Sequence, residues 1–297
     1  MSRTQIGWGI LGAAGIARKR VLPAIGASSN GRVVALASLS QERAREMLSP
    51  YTGAEVFDSY EALLARPDID AVYIPLPNSL HREWTLRAFA AGKHVLCEKP
   101  LALTAQEAEE MAAAAVASGK HLMEAFMYRF HPAMREFVKT MTEPFHVQTT
   151  FGFTVKDNDN IRLQAALGGG SLLDVGCYTV SVARWILGEP VDVVARARMA
   201  RGVDMTVSAL LEFAGGATAS VWTSFESPDT QGLEVITRQQ VHRREQPFTA
   251  YRDPHDPYQL MVESFADSVL HDRPVAIPLS ESIANMRVLD RIRDAFS

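Results

Sequence analysis

Residues 6–17 read Ile6-Gly7-Trp8-Gly9-Ile10-Leu11-Gly12-Ala13-Ala14-Gly15-Ile16-Ala17. The apolar run 6–11 is typical of a buried strand, the small residues after it predict a turn, and residues 16–27 predict a helix. A literal search finds Gly7-x-Gly9-x-x-Gly12, but that spacing lies inside the strand and places the turn too early. The register Gly12-x-Ala14-x-x-Ala17 instead puts small residues where the chain leaves the strand, so that backbone can approach a ligand at the helix N-terminus.

Strand-like and helical patterns alternate from this point to about residue 124. Further strands are predicted over 33–38, 55–57, 71–74, 95–97 and 121–124, and further helices over 41–47, 60–64, 82–91 and 105–117. This alternation predicts an α/β fold with a doubly wound parallel sheet. Such a sheet binds a dinucleotide across its switch point, so Gly12, Ala14, Gly15 and Ile16 are predicted to bind the cofactor.

The end of the second predicted strand normally selects the cofactor. An acidic residue there would hold the ribose 2′-hydroxyl of NAD, whereas an arginine nearby accommodates the 2′-phosphate of NADP. The sequence has no acid at this tip, and Ser38, Ser40 and Arg43 could together receive a phosphate. NADP is therefore favoured over NAD. The alternative interpretation is that Ser40 only caps the next helix and that Arg43 is solvated on it.

The loop after the fourth predicted strand is stiffened by Pro75 and Pro77. Asn78 or Ser79 is placed to cap the helix that follows. His81 falls in the first turn of that helix, where its ring could face the ligand edge of the sheet. On its own, His81 is more typical of a structural or solvated histidine than of a catalytic one.

The stretch 92–101, Gly-Lys-His-Val-Leu-Cys-Glu-Lys-Pro-Leu, carries a second signal. Its apolar run 95–97 predicts a buried strand, and Pro100 keeps Lys99 extended rather than helical. Ligands bind at the carboxyl ends of strands in an open α/β sheet, so a lysine fixed there is a candidate for chemistry. A solvated Lys-Pro turn is equally compatible with these residues.

Beyond about residue 125 the alternation stops. An aromatic and basic stretch, 124–132, leads into a predicted helix over 133–139, and strand-like segments then dominate over 145–155, 191–200, 204–213, 217–225 and 233–237. We expect a dinucleotide-binding domain, 1–124, and an α+β domain, 125–297, with a mostly antiparallel open sheet. Helices are predicted over 258–270 and 280–295, and the last could pack on the first domain. The open sheet face favours a homodimer or homotetramer.

One segment of the second half is apolar on nearly all sides. Gly168-Gly169-Gly170-Ser171 introduces residues 172–188, whose composition predicts a buried helix. Asp174 and Tyr178 are four residues apart and so share a face of that helix. Burying a carboxylate and a phenol costs free energy unless both have partners. A structural explanation pairs Asp174 with Ser171 in a capping box and makes Tyr178 a core tyrosine; the other explanation is an active site.

Composition argues against several classes of partner. The chain has 297 residues, of which 47% are hydrophobic and 22% charged, and a net charge of -4, which gives no reason to expect nucleic acid or an anionic membrane. Cys97 and Cys177 lie in apolar settings and predict reduced thiols in a cytoplasmic protein, with no disulfide and no metal site. We expect no signal peptide and no membrane span.

Five stretches together resemble one family in their order and spacing. They are Gly12-x-Ala14-x-x-Ala17, Pro75-x-Pro77-Asn78-Ser79-x-His81, Glu98-Lys99-Pro100, the stretch 124–132, and Gly168-Gly169-Gly170-x-x-x-Asp174-x-Gly176-x-Tyr178. Over nearly its full length the chain resembles the Gfo/Idh/MocA oxidoreductase family. The similarity is to the branch of glucose-fructose oxidoreductase, dimeric dihydrodiol dehydrogenase and D-xylose dehydrogenase. Each motif is modest singly, but five in register are specific.

The resemblance implies an N-terminal Rossmann domain that binds NAD(P), and it implies roles for particular residues. Lys99 matches the catalytic lysine, and Tyr178 matches a tyrosine typical of this branch. Asp174 matches a residue that helps hold substrate, and His81 matches a position near the nicotinamide. The residues implied at the cofactor beyond the glycine turn and the second strand are Pro75, Asn78, His81, Glu98 and Lys99.

The chemistry of alcohol oxidation suits these residue types. The nicotinamide takes a hydride and a base takes a proton. Tyrosine is a poor base at its reference pKa of about 10, but a lysine ammonium favours the tyrosinate and stabilises a developing alkoxide. The predicted reaction is reversible hydride transfer between nicotinamide and a sugar, a sugar-derived carbonyl or a vicinal diol. The alternatives are a non-catalytic nucleotide-binding regulator, against which Lys99 and Tyr178 argue, and a glycosidase with resident NAD.

The chain departs from the family pattern in one place. Residues 233–257 are shorter than in relatives and include a basic cluster, 238–244. We interpret that cluster as a solvated edge or turn. The shortening affects the expected oligomer interface and one wall of the cleft, but it does not involve Lys99 or Tyr178.

Overall fold

The protein is described by a computed structural model that covers residues 4–249 and 255–296. The described chain forms two compact units. The first contains the described residues of Met1–Leu101, Glu107–His131 and Ala250–Ser280, and the second contains those of Ala102–Gln106, Pro132–Thr249 and Glu281–Ser297. The domain division at residues 124 and 125 stays a prediction.

Six parallel strands form the sheet of the first unit. They are β1 (Ile6–Leu11), β2 (Gly31–Ala37), β3 (Glu55–Phe57), β4 (Ala71–Ile74), β5 (His94–Cys97) and β6 (Leu122–Glu124). Their order is β3-β2-β1-β4-β5-β6, so that β1 is central and the order reverses between β1 and β4. This is a doubly wound sheet with its switch point at β1 and β4, which confirms the predicted fold class.

The helices of the described residues fall at the predicted places. They are α1 (Leu22–Ala27), α2 (Gln41–Leu48), α3 (Tyr60–Leu64), α4 (His81–Ala90), α5 (Ala105–Ser118), α6 (Pro132–Lys139), α7 (Cys177–Leu187), α8 (Pro257–His271) and α9 (Leu279–Asp294). The first five each follow one strand of the parallel sheet along the chain. This is the sequence alternation that crossover connections between parallel strands require.

Gly7 and Gly9 lie inside β1, where no side chain fits. A Cβ on Gly7 would lie 2.1 Å from the carbonyl oxygen of Asp68, and one on Gly9 would lie 2.6 Å from Cδ2 of Leu63. These two glycines therefore serve packing. The turn comes after β1, at Gly12, whose φ of 109° belongs to the left-handed region. The structure thus favours the register that begins at Gly12.

A helical run over 15–27 follows the turn, as predicted. Its middle, Ala17–Val21, is a π-helical turn that leads directly into α1. Pro23 gives a physical reason for the wider turn, because proline has no N–H to donate to the preceding turn of the helix.

Two predicted helix caps are wrong. Ser40 precedes α2 but makes no side-chain cap, and its N–H donates to Oγ of Ser38 at 3.1 Å instead. Asn78 and Ser79 do not cap α4 either, because they belong to a 3₁₀ turn that runs directly into it. In both loops the local backbone, rather than a capping side chain, directs the chain into the helix.

Helix α8 packs in the first unit beside β1. The rings of Trp8 and Phe265 lie 5.6 Å apart, and both residues are buried. Glu263 accepts a hydrogen bond from the N–H of Ser29 at 3.1 Å, and its carbonyl accepts one from Asn30 at 2.9 Å. Apolar packing and polar contacts therefore both fix this late helix to the parallel sheet.

Six strands also form the sheet of the second unit. They are β7 (Pro144–Gly152), β8 (Pro190–Ala200), β9 (Val203–Phe213), β10 (Thr218–Ser224), β11 (Thr230–Thr237) and β12 (Val241–Glu245). Their order is β12-β11-β7-β10-β9-β8, and only the pair β7 and β10 is parallel among the described strands of this sheet. The predicted mostly antiparallel sheet is confirmed.

The basic cluster 238–244 is a turn followed by the outer strand β12, as interpreted from the sequence. Nε of Arg243 lies 2.6 Å from a carboxylate oxygen of Glu234 on the neighbouring strand. Opposite charges on directly paired residues support an edge strand. Of the shortened segment 233–257, residues 250–254 lie outside the described residues.

The predicted buried helix begins with a π-helical turn, Leu172–Gly176, which α7 continues. The predicted capping box is wrong. Ser171 already has helical φ and ψ, and its Oγ donates to Oδ2 of Asp204 at 2.9 Å. The N–H of Leu172 donates to the same oxygen at 2.7 Å. Burial raises the pKa of Asp204, and these hydrogen bonds oppose the rise. A distant carboxylate therefore binds the helix N-terminus.

We expect Gly7→Ala to lower the apparent free energy of unfolding by about 2–3 kcal/mol, because the new methyl group would overlap the backbone oxygen of Asp68 and force the backbone to shift. Gly15→Ala is the control, since its Cβ would meet no atom within 4 Å. Urea unfolding followed by circular dichroism measures both variants. Unchanged stability of Gly7→Ala would contradict the packing role assigned to this glycine.

Candidate functional site

The predicted cofactor residues of the first unit gather at one edge of its sheet. The strands β2, β1, β4 and β5 are neighbours and parallel, so their carboxyl ends lie side by side. Gly12 follows β1, Ser38 follows β2, Pro75 follows β4 and Glu98 follows β5. The edge includes the switch point, where open α/β sheets bind their ligands.

The glycine turn after β1 has the geometry that a pyrophosphate needs. The N–H of Gly12 donates to the carbonyl of Ala37 at 2.8 Å, which ties the turn to the end of β2. A Cβ on Gly15 would meet no atom within 4 Å, so the space beside the first helical N–H groups is open. Ala14 and Ile16 flank this glycine and are partly exposed. The residues present therefore fit a dinucleotide phosphate at the amino end of the helical run 15–27.

The tip of β2 is fixed by hydrogen bonds from Gln41, a residue that the sequence analysis did not single out. Nε2 of Gln41 donates to the carbonyls of Ser38 and Phe57, both at 3.0 Å. Ser38 is buried, whereas Arg43 is exposed on α2. The tip thus combines a buried hydroxyl with an exposed cation, a combination that can receive a phosphate group.

His81 is fully buried, and its ring connects two loops of the edge. Nδ1 lies 2.9 Å from the carbonyl oxygen of Pro100, and Nε2 lies 2.9 Å from that of Leu76. Burial lowers the pKa of His81, the two carbonyls oppose this, and the charge of Lys99 adds to it. A neutral imidazole carries one N–H, so it donates to one of these two carbonyl oxygens and only contacts the other. The buried ring therefore lies between the Pro75–Pro77 loop and the Lys99–Pro100 loop and contacts both.

Lys99 leaves β5 between two buried carboxylates. Oε1 of Glu98 accepts a hydrogen bond from the hydroxyl of Tyr73 at 2.5 Å, and its Oε2 accepts one from the N–H of Lys99 at 3.3 Å. On the far side of the cis Lys99–Pro100 bond, Glu124 accepts one from the N–H of Leu101 at 2.9 Å. Lys99 itself is half-buried. Its backbone is thus fixed on both sides while its side chain reaches partly accessible surface.

The cysteine at the end of β5, Cys97, is not a candidate nucleophile. Burial, and then the charges of Glu98 and Glu124, raise the pKa of Cys97 well above its usual range. Cys97 and Cys177 are both buried, and neither forms a disulfide. A thiol that stays protonated is a poor nucleophile.

In the second unit, Tyr178 on α7 lies among aromatic rings. Its ring centroid is 5.6 Å from that of Phe151 and 5.5 Å from that of Phe248, and the two phenylalanines stack on each other at 5.3 Å. Tyr178 is 8% exposed. The ring is therefore held in one orientation by packing, with a small part of its surface accessible.

Asp174 pairs with an arginine that the sequence analysis missed. Nε of Arg162 lies 2.6 Å from Oδ2 of Asp174. The charge of Asp174 is the largest cause that raises the pKa of Arg162, burial opposes it, and Tyr178 contributes in the same direction as Asp174. The guanidinium is thus electrostatically coupled to both polar residues predicted on this helix face.

The three glycines before the helix explain the position of this arginine. The N–H of Gly170 donates to the carbonyl of Arg162 at 2.9 Å. A Cβ on Gly169 would lie 2.5 Å from that same carbonyl oxygen, and a Cβ on Gly170 would lie 2.2 Å from Oδ1 of Asp204. The glycine run was the available signal: it indicates a close backbone approach, although it does not say to which residue.

Two absences can be stated for residues 4–249 and 255–296. They contain no group of three or more His, Cys, Asp or Glu side chains that could hold a metal ion. None of the helices in these ranges combines the length and the apolar character that a bilayer crossing requires.

Comparison with known proteins identifies the family. The profile of the Gfo/Idh/MocA family, described as an oxidoreductase family with an NAD-binding Rossmann fold, matches residues 6–126. The profile of the C-terminal domain of the same family matches residues 134–241.

Individual relatives extend over the whole chain. The D-xylose 1-dehydrogenase (NADP(+)) 2 of Haloferax volcanii is 39% identical over 97% of this chain and 96% of its own. The dTDP-3,4-didehydro-2,6-dideoxy-alpha-D-glucose 3-reductase of Actinomadura kijaniata is 34% identical over 96% of this chain and 94% of its own.

A similar solved structure is the 3-ketoreductase KijD10 from Actinomadura kijaniata, in a variant with a tyrosine replaced by phenylalanine, in complex with TDP-benzene and NADP. It has a TM-score of 0.91 and 33% identity, and the match covers 98% of each chain. The chain therefore belongs to the Gfo/Idh/MocA oxidoreductase family and is an NAD(P)-dependent oxidoreductase.

Proposed function

We propose that this protein is an NADP-dependent dehydrogenase or reductase that interconverts a hydroxyl and a carbonyl group on a sugar, a sugar-derived compound or a vicinal diol. The observation that carries the proposal is the convergence of the glycine turn, the β2 tip and Lys99 at the carboxyl ends of neighbouring parallel strands. The sugar substrates in the names of the relatives support the substrate class.

Different parts of the edge would hold different parts of the cofactor. Gly12, Ala14, Gly15 and Ile16 would bind the pyrophosphate through backbone N–H groups. Pro75 and Asn78, in the loop after β4, would lie beside the nicotinamide half. His81 and Glu98 are buried, so we assign them an indirect role, in which they fix the loops that carry the contacting residues.

NADP is the favoured cofactor. The xylose dehydrogenase relative is named for NADP(+), and the similar reductase was solved with NADP. On this chain, Ser38 and Arg43 would bind the 2′-phosphate, the serine through its hydroxyl and the arginine through its charge. The absence of an acid at the tip of β2 removes the like-charge repulsion that a 2′-phosphate would meet there.

Proton transfer is assigned to Tyr178, which takes the hydroxyl proton of the substrate and returns it in the reverse direction. When bound, the nicotinamide supplies the hydride chemistry. Lys99 is the cation that favours the tyrosinate form and stabilises negative charge on the substrate oxygen. Asp174, oriented by Arg162, accepts a hydrogen bond from a neighbouring substrate hydroxyl and so fixes the sugar for reaction.

The open face of the second sheet is proposed to pair with a second copy of the chain. Gln148, Ser220, Leu210 and Val194 lie directly opposite one another across β7, β10, β9 and β8. Val194 is 55% exposed and Leu210 is 48% exposed. They border a groove of about 390 Å³ on this face. A row of apolar and uncharged polar side chains across four strands suits a symmetric interface.

Lys99→Met and Tyr178→Phe are each expected to lower kcat by about 10²–10⁴-fold, because each removes a group that acts in proton transfer. The measurement is absorbance at 340 nm with NADP or NAD and a panel of aldoses, polyols and vicinal diols. Lys139→Met and Tyr51→Phe are matched controls on other parts of the chain. Near-normal turnover of both catalytic variants would refute the assignment, and no turnover by the wild type despite cofactor binding would favour a regulator or a resident-cofactor glycosidase.

Arg43→Ala is expected to raise KM for NADP about tenfold and to leave KM for NAD nearly unchanged, because only NADP carries the phosphate that the arginine would bind. Arg45→Ala is the control, since residues two apart on a helix point to different sides. Steady-state kinetics with both cofactors measures the ratio. An equal effect of Arg43→Ala on both cofactors would exclude this arginine from phosphate selection.

Leu210→Lys is expected to convert the proposed oligomer into monomers, because a charge at the centre of a symmetric interface faces its own copy. Sedimentation velocity gives the mass of both proteins. Val116→Lys introduces the same charge at another exposed apolar position and should leave the mass unchanged. A monomeric wild type, or a Leu210→Lys variant that retains the oligomer, would count against this interface.

A further inference from the structure

We propose that Arg162 is a positioning residue of the acid/base site: it orients the Asp174 carboxylate, and its charge favours the tyrosinate form of Tyr178. The proposal rests on the function proposed above, since it concerns the same tyrosine. It adds a second cation to the one supplied by Lys99. It also gives a reason for the glycine run 168–170.

The backbone of Arg162 is held from two directions. Its N–H donates to Oδ1 of Asn160 at 3.1 Å, and its carbonyl accepts from the N–H of Gly170 at 2.9 Å. The next residue, Leu163, is buried in a core cluster that also contains Val175, the residue after Asp174. Both members of the ion pair are therefore adjacent in sequence to anchors in one core. Because the backbone is already ordered at both positions, forming the pair costs little further backbone entropy.

The side chain of Arg162 is directed as well as anchored. Its guanidinium lies 5.6 Å from the ring centroid of Phe153, and its Nε reaches the Asp174 carboxylate at 2.6 Å. The Asp174 side chain is 14% exposed, and the Arg162 side chain is 38% exposed. A charge-assisted hydrogen bond to a mostly buried carboxylate is strong and directional.

The electrostatic effect on Tyr178 follows from reciprocity. Asp174 first, and Tyr178 among the lesser causes, raise the pKa of Arg162. A pairwise interaction acts equally on both members, so the guanidinium stabilises the tyrosinate as the tyrosinate stabilises the guanidinium. The carboxylate of Asp174 acts on the phenol with the opposite sign. Arg162 and Asp174 therefore act on the ionisation of Tyr178 with opposite signs.

The two variants of this pair are therefore expected to shift the titration of Tyr178 in opposite directions, which gives a test. The pH at which Tyr178 ionises is followed by the tyrosinate absorbance near 295 nm, as the difference between each protein and the same protein carrying Tyr178→Phe. Arg162→Met is expected to move the titration upward by about half a unit to one unit, because it removes a cation and exposes an anion. Asp174→Asn is expected to move it downward. The double variant should fall between the two single variants.

Two further variants separate charge from geometry. Arg162→Lys keeps the charge but not the planar fork, so it should restore the titration while kcat/KM stays reduced. Arg243→Met removes a surface arginine whose Nε lies 2.6 Å from Glu234, the same contact as in the Arg162 pair, and should change neither quantity. These two results would support separate electrostatic and orienting roles.

The outcomes distinguish this inference from the proposed function. The titration needs no turnover, so opposite shifts in the two single variants support the inference even if no substrate is found. Shifts of the same sign, or no shift in Arg162→Met, would overturn it, because a merely structural disturbance has no reason to follow charge. If Tyr178→Phe turns over normally, the proposed function fails while the titration still decides the role of Arg162.

Discussion

The fold of the first unit depends on how closely backbone can approach β1. This strand is buried along its whole length, and Gly7 and Gly9 leave no room for side chains against Asp68 and Leu63. Because β1 is the central strand at the point where the sheet order reverses, its position fixes where the glycine turn emerges. A hydrogen bond from the Gly12 N–H to the carbonyl of Ala37 then joins this glycine turn to the end of β2. The glycines that serve packing in β1 therefore determine where the glycines proposed to bind the cofactor lie.

Most of the fold could be predicted because its signals are local. Apolar runs of strand length, helical periodicity and small-residue turns are all read within a few neighbouring residues. The predicted helix caps are wrong because they, too, rest on local spacing alone. Ser171 has an acidic residue three positions on, as a capping box requires, but the helix N-terminus is bound by Asp204, 33 residues away. Sequence spacing alone does not reveal a competitor that the sheet brings from a distant strand.

The candidate site shows the same difference between local signals and contacts from distant segments. Lys99 and Tyr178 could be singled out because they stand in motifs whose spacing is readable. The groups that hold the site residues in place could not, since their contacts join segments that are remote in sequence: Tyr73 and Glu98 are 25 residues apart, and Leu101 and Glu124 are 23 apart. Arg162 lies only 12 residues from Asp174, yet the loop between them has no periodicity from which its direction could be inferred.

Both units therefore place their reactive polar groups in the same way. Lys99 leaves a buried strand between two carboxylates that bind the backbone on either side, and Tyr178 stands on a buried helix against two stacked phenylalanines. In each unit the cost of ordering the group is met by packing and backbone hydrogen bonds that exist without substrate. Preorganised charges of this kind would need little rearrangement in the proposed transfer of a proton and a hydride, a step at which electrostatic stabilisation has a large effect on rate. The buried polar groups thus hold in position the residues that we propose for catalysis.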